Sequence, residues 1–234
     1  LKAVLIGLSG GLDSTLALLV AVKTFELMKL NKNNIYTITM PGFGTTGRTY
    51  HNACKLAKVL GVSLEEINIS AAVRQHFNDI GQDMSIHDVT YENAQARERT
   101  QILMDIANMR AALVVGTGDL SELALGWATY NGDHMSMYSV NASVPKTVMR
   151  RMLNALAKGS ENNELKHILK DVVDTPVSPE LLPSDGGKQG HKTEDIVGPY
   201  ELHDFFIYYS LIYGFTASKI YRMACRAFVN EFTR

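Results

Sequence analysis

Short apolar runs alternate along this chain with longer segments in which apolar residues recur every three or four positions. The short runs have the length of buried strands, and the longer segments have the period of amphipathic helices. The predicted strands are 1–6, 35–39, 64–69 and 111–116. The predicted helices are 14–28, 49–60, 71–77, 91–109, one that opens at Pro145, 201–213 and 216–232. Strands that alternate with helices in this way indicate an α/β fold with a parallel sheet and crossover helices.

Composition limits the partners of such a domain. The chain has 234 residues, of which 46% are hydrophobic and 20% are charged, so it can bury a full core as one domain over 1–234. A formal net charge of -1 provides no clustered basic surface, and we expect neither nucleic acid nor a membrane as a partner. Cys54 and Cys225 lie in helix-like apolar patterns, which favours buried free thiols in a reducing compartment, the cytoplasm.

The ends of the chain and one loop carry further expectations. No apolar run reaches the roughly 18 residues that span a membrane, and no secretory leader precedes the first strand. A core strand that begins at residue 3 indicates that the natural protein continues toward the N-terminus. The segment 174–199, rich in proline and glycine, predicts a mobile loop.

The segment 7–14, which we name the phosphate loop, directly follows the first apolar run. Its residues are Gly-Leu-Ser-Gly-Gly-Leu-Asp-Ser. A buried strand that ends in small residues and then opens a helix arranges several backbone N–H groups around one anion-sized space. The segment therefore predicts a phosphate site.

Two other interpretations of glycine motifs in this chain remain open at this point. Residues 42–47 match G-x-G-x-x-G after a strand, which is typical of a dinucleotide turn with Glu65 or Glu66 on a ribose, although Pro41 interrupts the geometry. Residues 7–11 match G-x-S-x-G, so Ser9 is a candidate hydrolase nucleophile with Asp195 and His203 downstream. A hydrolase elbow normally follows several strands, whereas this motif follows the first. The hydrolase interpretation also does not explain why Asp13 and Ser14 stand at the start of the helix.

The full pattern Ser-Gly-Gly-x-Asp-Ser differs from a Walker A loop because it lacks the Gly-Lys-Ser/Thr ending. It resembles the PP-loop of the ATP pyrophosphatase superfamily, whose members cleave ATP between the α and β phosphates. That resemblance implies a doubly wound, Rossmann-like sheet of the adenine nucleotide alpha hydrolase type, with the loop at the carboxyl edge of the strands. Hydroxyls of Ser9 and Ser14 and the helix N-terminus would hold pyrophosphate, and Asp13 would hold magnesium.

Further stretches, in order along nearly the whole chain, resemble one family within that superfamily. They are 40–43, 91–99, 115–122, 126–130 and 192–204. They are similar to NAD synthetase, and most similar to the synthetase domain of its glutamine-dependent form. The resemblance implies that the nicotinate carboxylate of deamido-NAD attacks the α phosphate of ATP, that pyrophosphate leaves, and that ammonia then displaces AMP to form NAD.

The resemblance also implies roles for individual residues. Asp13 and Glu122 would hold Mg²⁺, and together with the phosphate-binding Lys146 they form the expected catalytic set. The expected ATP-binding residues are Gly7, Leu8, Ser9, Gly10, Gly11, Leu12, Asp13, Ser14, Met40, Thr117 and Lys146. The expected deamido-NAD-binding residues are Asn93, Arg97, Glu122, Trp127 and Tyr130.

Purely structural roles compete with several of these assignments. Asp13 and Glu122 are also candidates for helix N-terminal carboxylates, and Lys146 for a surface lysine of a first helical turn. Thr117 is a candidate N-cap, and Trp127 a candidate core residue.

Departures from the family bear on nitrogen supply and assembly. The glutamine-dependent enzymes carry an N-terminal glutaminase domain, and this chain contains none, so ammonia would arrive free or from a region outside the chain. The family forms dimers, which implies a homodimer or a larger homo-oligomer. Alternatives to the NAD synthetase interpretation are a GMP synthetase-like amidase and a transfer-RNA-thiolating enzyme of the same superfamily; the absence of a basic stripe and of a catalytic cysteine pair opposes the second.

Overall fold

The computed structural model describes residues 2–45, 47–176 and 193–232. The strands are β1 (Val4–Gly7), β2 (Ile35–Thr39), β3 (Ser63–Glu66), β4 (Leu113–Gly116) and β5 (Tyr138–Ser139). The helices are α1 (Leu12–Leu27), α2 (Gly47–Leu60), α3 (Ser70–Ile80), α4 (Val89–Arg110), α5 (Leu120–Leu125), α6 (Lys146–Gly159), α7 (Asn163–Val173), α8 (Thr193–Val197), α9 (Tyr200–Leu211) and α10 (Ala217–Ala227). Most of the predicted loop 174–199 lies outside the described residues, and 193–197 form α8.

The five strands form one parallel sheet in the order β3-β2-β1-β4-β5. From the central strand β1 the chain moves outward through β2 and β3, and then crosses back to add β4 and β5 on the other side. This confirms the predicted doubly wound fold. In such sheets ligands bind at the carboxyl ends of the strands, at the point where the strand order reverses. Here that point lies between β1 and β4.

Helices cover both faces of the sheet because the central strand is apolar on both sides. Val4 and Ile6 pack into a core with α1, α2, α6 and α7, whereas Leu5 packs into a second core with α3 and α4. Alternate residues of a strand point to opposite faces, so β1 is held from both sides. The phosphate loop therefore leaves a rigid strand.

Several predicted features needed correction. Strand β5 and helices α5 and α7 were not predicted, although Leu165, Ile168, Leu169 and Val172 recur in α7 at helical spacing. The third strand ends at Glu66 and not at residue 69, and α10 ends before residue 232. The two cysteines are free as predicted, but they are partly exposed and not buried. Among the described helices, we find none with the length and apolarity to cross a membrane.

Candidate active site

The phosphate loop takes a shape that requires glycine. Gly10 has a φ of +83°, a conformation that side chains rarely adopt, and a Cβ at this position would overlap the carbonyl oxygen of Thr49 in α2. The Ser9 hydroxyl accepts a hydrogen bond from the Gly11 N–H at 3.1 Å and lies 3.1 Å from Ser14 Oγ. The loop is thus packed tightly on α2 and brings two hydroxyls together.

Among the described residues, no side chain caps the amino end of α1, which leaves it available to a ligand. The N-cap residue is Gly11, which has no side chain to cap the first N–H groups of this 16-residue helix. Such N–H groups and the positive end of the helix dipole favour an anion. The side chains of Leu8 and Leu12 are buried in the core and anchor the loop, so only the backbone of these two residues is available to a ligand.

Four charged side chains meet directly beside this helix end. The Lys146 Nζ atom lies 2.7 Å from Asp13 Oδ1, 2.5 Å from Asp119 Oδ2 and 2.8 Å from Glu122 Oε1. The Lys146 side chain is only 1% exposed, and that of Asp119 is fully buried. We refer to Asp13, Asp119, Glu122 and Lys146 as the acid–lysine cluster.

The fold assembles this cluster from the carboxyl ends of neighbouring strands. Asp13 follows β1, Asp119 and Glu122 follow β4, and Lys146 follows β5. Because β1, β4 and β5 are adjacent and parallel, their ends lie at the same edge of the sheet. The cluster therefore lies at the point where the strand order reverses, next to the phosphate loop.

Burial and charge shift the pKa values of this cluster. Burial alone would lower the pKa of Lys146, but the three carboxylates outweigh it and raise that pKa above its ordinary value. Burial, followed by the charge of Asp13, raises the pKa of Glu122 to about 8. Burial also raises the pKa of Asp119, against the opposing effect of Lys146. Repulsion from the neighbouring carboxylates adds to the effect of burial on Glu122 and Asp119, and a bound cation would relieve that repulsion.

The donor set of the cluster fits a magnesium ion. Carboxylate oxygens are ligands that Mg²⁺ prefers, and ligand atoms of Asp13, Asp119 and Glu122 lie within 4.8 Å of one another. Asp119 Oδ2 is buried and lies 2.5 Å from the Lys146 ammonium, and no other described residue donates a hydrogen bond to it. A buried oxygen with a free lone pair is suited to a cation. Asp119 thus joins the two carboxylates that the sequence indicated.

The role of Asp119 was not predicted from the sequence, and the competing structural roles of Thr117 and Lys146 are wrong. Asp119 is the N-cap of α5 and accepts the Glu122 N–H at 2.9 Å, so the alternative N-cap role for Thr117 is wrong. The D-x-x-E spacing before an apolar segment was a usable signal for this cap. Lys146 is buried, so the surface-lysine alternative is also wrong. The Thr117 carbonyl accepts a hydrogen bond at 2.9 Å from Asn141, which the sequence did not single out.

Four of the five residues expected to contact deamido-NAD, all except Glu122, lie in or against the loop after α5. The Arg97 Nε donates to the Tyr130 carbonyl at 3.1 Å, and Asn93 Oδ1 accepts from the Thr129 hydroxyl at 2.7 Å. Both side chains of α4 therefore anchor this loop in the structure. Trp127 is partly buried and Tyr130 is 74% exposed, so Trp127 is not a fully buried core residue.

Met40 lies where β2 ends, close to the start of the phosphate loop. It is buried, and its Cε is 3.5 Å from the position of a Cβ built on Gly7. Its carbonyl accepts a hydrogen bond from Arg99 Nε at 3.1 Å. Beyond it, an open cavity of about 310 Å³ lies at the ends of β2 and β3. Pro41, the residue after Met40, lines this cavity.

The competing interpretations gain no support from the described residues. His203 Nε2 bonds to the Val197 carbonyl, and the hydrogen bonds of Ser9 involve Gly11 and Ser14. The carboxylates of the dinucleotide alternative are engaged elsewhere: Glu65 pairs with Arg110, and Glu66 accepts from the Tyr50 hydroxyl.

Comparisons with known proteins agree with this geometry. A family model described as NAD synthase matches residues 1–210. The chain is 44% identical over 230 residues to the glutamine-dependent NAD(+) synthetase of Mycobacterium tuberculosis, covering 96% of this chain and 34% of that protein. It is similar to the structure of glutamine-dependent NAD+ synthetase from Acinetobacter baumannii in complex with adenosine diphosphate, with a TM-score of 0.67 and 25% identity over 95% of this chain and 37% of that one.

A glutamine-dependent NAD(+) synthetase structure from Cytophaga hutchinsonii shares the fold, with a TM-score of 0.73 and 21% identity over 99% of this chain and 42% of that one. The chain spans about a third of the length of the relatives that it matches in sequence, 34% for the Mycobacterium tuberculosis protein. It corresponds to their C-terminal part.

Proposed function

The chain belongs to the NAD synthase family, and we propose that it catalyses the ATP-dependent amidation of deamido-NAD to NAD, with release of AMP and pyrophosphate. One observation carries the proposal: the open helix end of the phosphate loop and the acid–lysine cluster adjoin at the carboxyl edge of β1 and β4. An anion site beside a set of cation ligands suits a magnesium-bound polyphosphate. The family match favours this reaction over a GMP synthetase-like amidation.

The proposed reaction has two steps that balance without a nucleophile from the protein. In the first, a nicotinate carboxylate oxygen bonds to the α phosphorus of ATP, and the bond from that phosphorus to the bridging oxygen of pyrophosphate breaks. In the second, ammonia bonds to the carboxyl carbon, the carbon–oxygen bond to AMP breaks, and the nitrogen loses a proton. Charge grows on the phosphates in the first step, so positioning and electrostatic stabilisation supply most of the catalysis.

The residues of the site suit these demands. The open N–H groups of α1 and the hydroxyls of Ser9 and Ser14 would hold the leaving pyrophosphate. Mg²⁺, when bound by Asp13, Asp119 and Glu122, would supply positive charge to the phosphates. Lys146 would keep these carboxylates together and add a fixed positive charge.

The nicotinate half of deamido-NAD would bind against the loop after α5. Trp127 lies two residues after the end of that helix, and its backbone N–H donates to the Glu122 carbonyl at 2.9 Å, so it lies close in the chain to the acid–lysine cluster. An indole ring stacks well on a pyridine ring. The exposed Tyr130 is a second candidate contact. Arg97 and Asn93 would act by holding this loop, in addition to the substrate contacts predicted from the sequence.

The source of ammonia and the assembly complete the proposal. The relatives contain about three times the length of this chain, and we propose that a glutaminase domain outside it supplies ammonia in the full protein. Free ammonia would serve the isolated domain. We also propose a homodimer or larger homo-oligomer, and a reducing, cytoplasmic location consistent with the two free cysteines.

Variants of the carboxylates test the function. Asp13→Asn and Glu122→Gln should each lower NAD and AMP formation from ATP, Mg²⁺, ammonia and deamido-NAD by about 100-fold or more, as expected when a group that stabilises transition-state charge is lost. Asp105→Asn, an exposed carboxylate of α4, is the matched control and should retain wild-type activity. Absence of NAD formation by the wild-type protein, or turnover of xanthosine monophosphate in place of deamido-NAD, would refute the proposal.

A further inference from the structure

A carboxylate of α9 joins three helices around the acid–lysine cluster. Asp204 is only 6% exposed. It accepts hydrogen bonds from the Ser121 hydroxyl of α5, from the Thr147 N–H of α6 at 2.8 Å and from the Thr147 hydroxyl at 2.6 Å. No bond to Lys146 Nζ is involved, so Asp204 stands one layer behind the charged groups.

These bonds determine where α6 begins. Its N-cap is Pro145, which provides no side-chain cap for the first N–H groups. Neighbouring helices supply the acceptors instead: the Lys146 N–H donates to Ser121 Oγ at 2.9 Å, and the next N–H donates to Asp204. Helix ends buried without such partners are costly. The backbone of Lys146 is therefore held by the Ser121–Asp204 pair.

The Ser121–Asp204 pair connects the two segments that contribute the cluster residues, the start of α5 and the start of α6. Ser121 lies between Asp119 and Glu122 in the chain, whereas Thr147 adjoins Lys146. Tyr200, one helical turn before Asp204 in α9, places its ring 5.6 Å from Lys146 Nζ. A displacement of α9 would consequently shift the ammonium relative to the carboxylates.

We propose that Asp204 is a positioning residue, which holds Lys146 in register with Asp119 and Glu122 through Ser121 and Thr147. The inference rests on the proposed function, because the register matters for binding magnesium-bound ATP. Asp204 itself does not touch ATP. Its loss should disturb the site without removing any of its charged groups.

The test compares Asp204→Asn and Ser121→Ala with Glu201→Gln, an exposed carboxylate on the same helix. Calorimetric titration with ATP is run with Mg²⁺ and again with EDTA, beside thermal unfolding and NAD formation. Asp204→Asn keeps the size of the side chain but cannot accept all three hydrogen bonds. Ser121→Ala removes only one hydroxyl, the group that connects Asp204 to the Lys146 N–H. Each should weaken Mg²⁺-dependent ATP binding about tenfold or more in the folded protein, whereas Glu201→Gln should match the wild type.

A double variant separates positioning from general loss of stability. Residues in one hydrogen-bond network are not independent. The double variant with Asp204→Asn and Ser121→Ala should therefore bind ATP only slightly more weakly than the weaker-binding single variant. Wild-type affinity in both single variants, or losses that simply multiply, would overturn the inference. If the wild-type chain forms no NAD, the proposed function fails while the affinities still decide the role of Asp204. A wild-type chain that binds no ATP with Mg²⁺ would overturn both.

Discussion

Replacing Lys146 by methionine would test the electrostatic balance of the acid–lysine cluster. Methionine fills a similar volume but carries no charge and no hydrogen-bond donor. The change would leave Asp13, Asp119 and Glu122 close together without the ammonium that now lies within 2.8 Å of each. Asp119 is fully buried, so water cannot replace the lost partner there.

The expected cost follows from burial. Removal of one partner from a buried ion pair costs about 3–5 kcal/mol. The side chains of Asp13 and Glu122 are 26% and 23% exposed, so water relieves part of their repulsion, and the expected loss is near the lower end. A loss of about 3 kcal/mol corresponds to a fall of about 6–12 °C in the melting temperature of a domain of this size.

The loss should also grow with pH. A carboxyl group whose pKa is higher in the folded chain than in the unfolded chain holds an extra proton when folded, so the free energy of unfolding falls as pH rises between the two values. Glu122, with a pKa of about 8, already behaves in this way between the ordinary carboxyl range and about pH 8. Removal of the ammonium raises that pKa further, which extends the decline to higher pH.

Urea unfolding near pH 6 and near pH 9 provides the assay. Lys158→Met, an exposed lysine in the last turn of the same helix, is the control and should change stability by less than about 0.5 kcal/mol. A loss below about 1 kcal/mol for Lys146→Met, or an equal loss at both pH values, would show that the ammonium does not balance the three carboxylates.

Two further predictions concern the framework of the site. Gly10→Ala should cost about 3 kcal/mol or more and abolish ATP binding, because it adds a clash with the Thr49 carbonyl to the backbone strain of a positive φ. Gly61→Ala, with a positive φ but open space, is its control in thermal unfolding; equal losses would contradict the clash. Asp171→Asn should cost about 1 kcal/mol by weakening the pair with Arg48. Hydrogen bonding to Arg48 lowers the pKa of Asp171, so this stability is present above the ordinary aspartate pKa and should vanish in urea titrations as pH falls through the lowered value.

Elements held by buried apolar runs could be predicted from the sequence. The bounds of β2 are as predicted, because Ile35–Thr39 is a β-branched run bordered by asparagines on one side and followed closely by proline on the other. Strand β5 has two residues and no apolar run, and it exists through pairing with β4, in which Val115 faces Tyr138. Its existence depends on tertiary contacts that no local pattern contains.

The candidate site divides in the same way. The phosphate loop is one continuous segment, so Asp13 and the glycines could be identified from their order alone. Lys146 pairs with Asp13 across 133 positions of sequence, and this pairing follows only from the strand order. Asp204 is more remote still, because it acts through helix ends whose partners the sequence does not reveal. The residue types indicated the chemistry of the site, whereas the topology of the sheet determined which side chains come together in it.

Isotope transfer tests the central claim, attack of the substrate carboxylate on the α phosphate of ATP, most directly. Deamido-NAD labelled with oxygen-18 at both carboxylate oxygens of the nicotinate is incubated with the chain, ATP, Mg²⁺ and ammonia, and the masses of the products are measured by mass spectrometry. The account predicts one labelled oxygen in AMP, one in the new amide of NAD and none in pyrophosphate. Unlabelled AMP formed beside NAD, or label in an inorganic phosphate product, would contradict it.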